Sequence, residues 1–470
     1  MAALEQAKQY DLVVIGSGPA GQHGALLAAK SGWKVAVVER RQVVGGSCLH
    51  VGTIPSKTLR ESVLYLTGWR LRNMYGHSYA VKRQITMADL MLRTNFVIER
   101  EMNVIQRNFS RGGIDLHYGS AKFIDPSTLV VHGIAQETYL RAKHFLVATG
   151  TTAYRPSNIP FNDTTLIDSD QVTQMRELPK RMTIIGAGVI GIEYASIFST
   201  LDIDVTVVSR SSTFFGFVDR EITDALTYHL RDRGVSLRMN EVVDTIEIED
   251  DGTPTVVLES RKRIRSELVM VASGRSGTAA ALDLPNAGVQ PTERGLCRVG
   301  PSFRTEVPHI HAAGDIVGFP SLASTSMEQG RTAVADMLGM PLTSSQELFP
   351  YGIYSIPEIA YIGKNEEELT AQGVPYEIGV AHYREIAKGE MHGDDIGMLK
   401  MLFHMQTRKL LGVHAIGLDS TELIHIGQAV MAFGGTLDYF LGAVFNYPTF
   451  AECYKVAAHD ASSKMGLADA

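Results

Sequence analysis

The chain has 470 residues, 45% of them hydrophobic and 20% charged, a composition that supports a substantial core and, at ~100–200 residues each, about three domains. A net charge of −7 gives no electrostatic support to a nucleic-acid partner or a polybasic membrane contact, and no apolar run approaches the ~18 residues of a membrane span. The opening Met1-Ala2-Ala3-Leu4-Glu5-Gln6 lacks the basic and apolar regions of an export signal, and Cys48, Cys297 and Cys453 are too scattered for a disulfide framework, so a cytoplasmic location is expected.

The first predicted element is the strand Tyr10–Ile15, which runs into Gly16-Ser17-Gly18-Pro19-Ala20-Gly21 and an Ala-rich helix. In such a turn the first glycine permits the bend and the second admits a pyrophosphate close to the backbone. The third lets helix and strand pack, so that the positive helix end faces the phosphates. The next strand, Lys34–Val38, closes on Glu39, a carboxylate placed to accept hydrogen bonds from a ribose 2′-hydroxyl. The periodic stretch from Met87 to Asn108 predicts a helix, and the strand Phe145–Val147 ends at Ala148-Thr149-Gly150. A Pro/Asn-rich passage, Arg155 to Pro160, reads as a crossing into a second unit.

There the strand Met182–Ile185 leads into Gly186-Ala187-Gly188-Val189-Ile190-Gly191. At the offset that gave Glu39, this copy has Ser209 and then Arg210. The second site therefore lacks the carboxylate that repels a 2′-phosphate. Ser209 can bond a hydroxyl or a phosphate, and Arg210 can add a charge-assisted contact worth roughly 1.5–3 kcal/mol. An arginine here also reads as a solvated loop residue. The unit closes with Leu268–Val271 and Ala272-Ser273-Gly274-Arg275, an ending parallel to Ala148-Thr149-Gly150 that marks the two units as distant internal repeats. Thr305 to Asp315 reads as a strand, a Gly314-Asp315 turn and a helix start. From about Phe349 the pattern changes to alternating strands and then two helices, a separate α+β domain.

The segment Gly45-Gly46-Ser47-Cys48-Leu49-His50-Val51-Gly52-Thr53-Ile54-Pro55-Ser56-Lys57 resembles the redox segment of the flavoprotein disulfide reductases, the family of dihydrolipoamide dehydrogenase. With both glycine fingerprints, the Gly-Asp turn and the C-terminal domain in order, the resemblance spans essentially the whole chain. It implies an α/β fold with two Rossmann-like domains and an interface domain. The expected boundaries are 1–155 and 279–345 for a two-part FAD domain, 156–278 for an NAD(P) domain and 346–470 for dimerisation. It also implies bound FAD, with Glu39 on the adenosine ribose and Asp315 near the ribityl and pyrophosphate groups. Further dinucleotide contacts implied are Arg40, Gly45, Gly46, Cys48, Thr53, Thr149, Gly150, Gly274, Arg275 and Gly314. Lys57 and Glu193 are implied as a buried pair beside the flavin. The spacing itself only puts Glu193 two residues after Gly191, on the first turn of its helix.

Two departures from the family pattern carry the functional reading. The family has a second cysteine where this chain has Thr53, and threonine cannot exchange with a disulfide, because exchange requires a thiolate attacking sulfur. In Asn446-Tyr447-Pro448-Thr449, Tyr447 stands at the family's catalytic histidine, with Glu452 retained after it. A tyrosine, with a reference pKa near ~10 against ~6.5 for histidine, is a poor proton shuttle at neutral pH. Both ends of the thiol relay are therefore replaced. The combination is similar to that of the soluble pyridine nucleotide transhydrogenases within the family. The resemblance implies NADPH + NAD⁺ ⇌ NADP⁺ + NADH, ping-pong through reduced FAD, with NAD(H) and NADP(H) as substrates. Tyr447 and Glu452 are implied to reach the site from the neighbouring subunit of a homodimer or larger homo-oligomer. Cys48 becomes a bystander, and His50, two positions away, points elsewhere. The histidines form no ligand-spaced cluster, so no metal is expected. A reductase using Cys453 from a partner as second thiol, an NAD(P)H diaphorase or oxidase, and a nucleotide-sensing scaffold remain as alternatives.

Overall fold

The computed structural model describes residues 6–76, 78–341 and 348–467. Its first sheet has seven strands, in the order Asp115–Tyr118, Val35–Glu39, Lys8–Ile15, Glu137–Val147, Thr128–His132 and Ser120–Asp125, with Ile310–Ala312 added in parallel against Glu137–Val147. Leu12, Val13, Val14 and Ile15 are all buried, as expected for a central parallel strand covered on both faces. That burial is why the sequence shows a continuous apolar run there rather than an alternation.

The second sheet has five parallel strands, in the order Ser236–Met239, Asp204–Ser209, Arg181–Ile185, Leu268–Val271 and Leu166–Asp168. Val207 and Met270 flank Ile184 here as Val37 and Leu146 flank Val14 in the first sheet. The internal repeat is thus a repeat of strand register. The chain leaves the first unit at Thr151–Ala153 and returns at Arg275–Gly277, and these two crossings pair antiparallel. Ile310–Ala312 then completes the first sheet from beyond the second.

The third sheet is antiparallel, in the order Tyr351–Ile353, Ile359–Gly363, Leu410–Ile416, Met398–His404 and Tyr376–His382. The helix Glu452–Lys464 packs on its last strand, so closely that a Cβ on Gly379 would stand 1.9 Å from the Ala457 carbonyl. Lys400 projects from this sheet into the second unit. Its ammonium lies 3.0 Å from the Asp219 carboxylate and 3.0 Å from that of Glu221, and it also bonds Glu366. Burial opposes the charge, but the carboxylates outweigh it and raise Lys400 above the ordinary lysine range. These carboxylates are close enough to share a cation, and the ammonium of Lys400 stands among them.

The helix predicted to Asn108 extends to Arg111, started by a reciprocal cap between Thr86 and Asp89. The strand predicted from Thr305 is shorter, Ile310–Ala312, and Gly314-Asp315 leads into a single tight turn before the helix Ala323–Met337 begins. Among the described residues, no helix is long and apolar enough to cross a membrane.

Candidate functional site

Both glycine turns face one cleft of about 2020 Å³. In the first, Gly16 has φ +106° and a Cβ there would stand 2.4 Å from the Ala148 carbonyl, while one on Gly21 would stand 2.0 Å from the Gly16 carbonyl. In the second, Gly186 has φ +113° with the Ala272 carbonyl at 2.4 Å, and Gly191 meets the Gly186 carbonyl at 2.0 Å. Gly18 and Gly188 differ from these positions: a Cβ on either would have nothing within 4 Å. The outer glycines are therefore demanded by the backbone, and the middle ones by whatever occupies the cleft. The helices that follow, Pro19–Lys30 and Val189–Thr200, begin without a side-chain cap, leaving N-terminal N–H groups for an anion.

The strand ends differ as read from the sequence. Glu39 is buried, and its carboxylate accepts hydrogen bonds from Ser17 N at 3.0 Å, Ser17 Oγ at 2.6 Å and Arg41 N at 2.9 Å. Ser209 is buried too, accepting only Ser211 N at 3.2 Å through Oγ, and Arg210 is exposed beside it without an ion-pair partner among the described residues. Arg40 is likewise exposed at the cleft. Gly45 donates to Ser17 Oγ at 3.0 Å, and a Cβ on Gly46 would stand 2.8 Å from Gly18 Cα, so the redox segment packs directly on the first turn.

In that segment Cys48 and Thr53 both line the cleft, with Thr53 opening the helix Thr53–Leu66. Burial pushes the thiol up, with the Asp315 carboxylate adding to the effect. His50 turns away to the Val44 carbonyl at 2.8 Å. Cys297 and Cys453 are free, buried thiols, each pushed up to about 12 by desolvation. Cys453 is wholly enclosed in the core of the third domain, which removes it as a second thiol for Cys48.

One helical turn on, Lys57 Nζ reaches both oxygens of Glu193, at 2.9 and 2.7 Å. Glu193 falls in the second turn of the helix Val189–Thr200, not the first, because that helix starts only at Val189. Tyr354 of the third domain completes the arrangement: its backbone N–H donates to Glu193 Oε1 at 2.8 Å and its ring centroid lies 4.9 Å from Lys57 Nζ. On the same helix as Lys57, buried Arg60 bonds Glu358 at 3.1 Å and the Ser355 carbonyl at 3.0 Å. The sequence reading missed Tyr354, Arg60 and Glu358. Arg60 sits three positions after Lys57, on the same helix face, and that was the available signal.

Gly150, Gly274 and Gly314 all have positive φ where the chain bends around the cleft. The hydroxyl of Thr149 is buried there with no hydrogen-bond partner among the described residues. Arg275, expected to contact a dinucleotide, turns its guanidinium to Asp170 at 2.7 Å, Thr151 Oγ1 at 2.8 Å and the Thr151 carbonyl at 3.0 Å. It braces the two crossings at the cleft wall, since two carboxylate oxygens and a carbonyl offer that cation better partners than open solvent. Burial pushes the Asp315 carboxyl up, opposed by Arg275, Thr151 and Ser326. Tyr447 and Glu452 do not border the cleft of their own chain. Tyr447 is 68% exposed, and one Glu452 oxygen is buried without a hydrogen-bond partner among the described residues.

Residues 10–330 match the pyridine nucleotide-disulphide oxidoreductase family, and residues 349–458 match its dimerisation domain. The chain belongs to the pyridine nucleotide-disulphide oxidoreductase family. Among members of that family, the soluble pyridine nucleotide transhydrogenase of Mycobacterium tuberculosis is 49% identical over 460 residues, covering 97% of this chain and 98% of that protein. That of Chromohalobacter salexigens is 42% identical over 463 residues, covering 97% and 99%. Among solved structures, the HOCl-induced flavoprotein disulfide reductase RclA from Escherichia coli superposes with a TM-score of 0.87 at 27% identity, over 96% of this chain and 99% of that one. LpdA from Mycobacterium tuberculosis shares the fold, with a TM-score of 0.88 at 22% identity over 96% of this chain.

Proposed function

We propose that this chain exchanges hydride between NADPH and NAD⁺ through bound FAD, without a redox disulfide. The observation that carries the reading is Thr53 on the cleft beside Cys48, where a thiol relay needs a second sulfur, together with a duplicated glycine turn whose strand ends differ. Relatives at 49% and 42% identity named soluble pyridine nucleotide transhydrogenase support it.

The residues present fit FAD in the first site. Space is open at Gly18, the carboxylate of Glu39 is fixed at the strand end, and the orphaned Thr149 hydroxyl borders the same cleft. When bound, FAD would supply a centre able to accept and to donate a hydride. The protein's own part is positioning and charge. Glu193 fixes the Lys57 ammonium bidentately, and that cation offsets negative charge that builds up beside it in the cleft. Asp315 and Gly314 close the same wall. At the second site Ser209 and Arg210 accept either cofactor: a hydroxyl serves a ribose, and the free guanidinium serves a 2′-phosphate. The two nicotinamide rings are identical, so selectivity resides in that phosphate.

The reading further assigns 1–155 and 279–345 to the FAD domain, 156–278 to the NAD(P) domain and 346–470 to dimerisation, in a cytoplasmic homodimer or larger homo-oligomer. Tyr447 and Glu452 are assigned to the cleft of a second copy, which the exposure of Tyr447 and the unpartnered Glu452 oxygen support. The test is anaerobic: NADPH is mixed with the purified yellow protein, then NAD⁺ or its thionicotinamide analogue is added. Prompt bleaching and prompt recovery of the flavin absorbance are expected. Recovery only on admission of air overturns the reading in favour of an oxidase. Lys57→Met is expected to slow bleaching by NADPH about tenfold or more, and an unchanged rate removes Lys57 from the chemistry.

A further inference from the structure

We propose that Tyr354 is a positioning residue for hydride transfer, holding the Lys57–Glu193 pair from the dimerisation domain. The inference rests on the transhydrogenase reading above and extends it to a residue outside both nucleotide-binding units. Tyr354 touches the two ions in different ways. Its backbone N–H donates to Glu193 Oε1 at 2.8 Å, and its ring lies with the centroid 4.9 Å from Lys57 Nζ. The ammonium has three N–H bonds, and Glu193 takes two of them, at 2.9 and 2.7 Å. The face of Tyr354 receives the cation where neither carboxylate oxygen does. A cation within ~6 Å of an aromatic face is attracted by the ring quadrupole, and more strongly when water is excluded.

The loop that carries Tyr354 has no freedom to drift. Ile356 N donates to Ser196 Oγ at 3.0 Å, and that hydroxyl donates to the Glu193 carbonyl at 2.8 Å. On the other side, Arg60 bonds the Ser355 carbonyl and Glu358, whose other oxygen accepts from Thr421 N at 3.2 Å. Lys57 and Arg60 share one helix, so this helix grips the loop twice. The third domain therefore fixes the electrostatics of the cleft as well as supplying a dimerisation surface. Tyr354 also borders the cleft, and its ring covers one side of the ammonium of Lys57, whose side chain is 26% exposed. Replacing the ring with an aliphatic side chain leaves the backbone bond to Glu193 intact. It admits water to Lys57 and weakens the field of the cation.

The test uses the holoenzyme, and compares Tyr354→Phe and Tyr354→Leu with wild type in anaerobic stopped flow and in dye-equilibrated flavin potentiometry. Tyr354→Phe keeps a π face and is expected to match wild type within about twofold. Tyr354→Leu is expected to slow bleaching by NADPH roughly three- to tenfold, with the NADPH concentration at half-maximal rate unchanged and the flavin midpoint potential shifted lower. A Leu variant with wild-type rate and potential overturns the proposal, as does a Phe variant impaired as severely as Leu. Should Tyr354→Leu fail to retain flavin, Tyr354→Trp decides: a wild-type potential supports the proposal, and a lowered one overturns it. Failure of the transhydrogenase reading is distinguishable, because it appears in wild type as absent recovery with NAD⁺, whereas these readouts concern reduction and potential alone.

Discussion

Lys400→Met is the sharpest test of how the third domain holds the second. The side chains of Lys400 and Asp219 are each 1% exposed, whereas Glu221 and Glu366 are 47% and 33% exposed. Removing one partner of a buried pair costs about 3–5 kcal/mol, because an uncompensated charge stays behind. Glu221 and Glu366 can rehydrate, so the penalty falls mainly on Asp219, and the lower bound of about 3 kcal/mol applies. A protein of several domains does not unfold in two states, so the fitting assay is native-state hydrogen exchange. Amides of Met398–His404 and of the helix Arg220–Asp232 are expected to exchange on the order of a hundredfold faster in the variant. Adding Asp219→Asn removes the stranded charge and is expected to restore a substantial part of the protection. Because the folded-state lysine is raised, its contribution is complete below the unfolded value of ~10.4 and fades as the pH climbs above it. Wild-type protection therefore owes no pH dependence to Lys400 between pH 6 and 9. Exchange in Lys400→Met within about threefold of wild type in both elements would refute the reasoning.

Ser209→Glu is expected to weaken NADP(H) binding about tenfold or more and to spare NAD(H), read from dissociation constants for each; equal losses would reject the assignment. Gly191→Ala puts a methyl 2.0 Å from the Gly186 carbonyl, against backbone that cannot swing aside. The variant should keep its flavin absorbance yet lose bleaching by NADPH and NADH alike, so an active variant contradicts the placement of the second site. Cys48→Ser should exchange hydride at wild-type rates within about twofold, because Thr53 already denies it a sulfur partner, and an inactive variant restores the thiol to the mechanism.

Much of the architecture could be read before any coordinates. Each glycine turn demands residues that tolerate one backbone path only, and parallel strands covered on both faces write themselves as apolar runs. Glu39 and Ser209 were legible for the same reason, since strand length fixes which residue closes on the cleft. What stayed hidden are contacts made across long stretches of chain. Nothing local to Tyr354 announces Glu193, and nothing near Lys400 announces Asp219, because each partner arrives with a helix of the second unit. Arg275 borders the cleft, and its side-chain partners were equally hidden. Its position after Gly274 was read correctly, but its side chain found Asp170 and Thr151, partners no motif specifies.

The two loops share two close approaches, that of Gly16 or Gly186 to the carbonyl of Ala148 or Ala272 and that of Gly21 or Gly191 to the carbonyl of Gly16 or Gly186. Both have open space beside Gly18 and Gly188. On the proposed reading these shared approaches serve the pyrophosphate common to the coenzymes and do not tell one from another. Re-engineering preference is therefore simpler in the second pocket, because Glu39 is bonded to Ser17 of its own turn whereas Ser209 bonds Ser211 instead. The proposed discrimination lies in the side chains that follow Val208, where editing breaks no bond to the glycine turn.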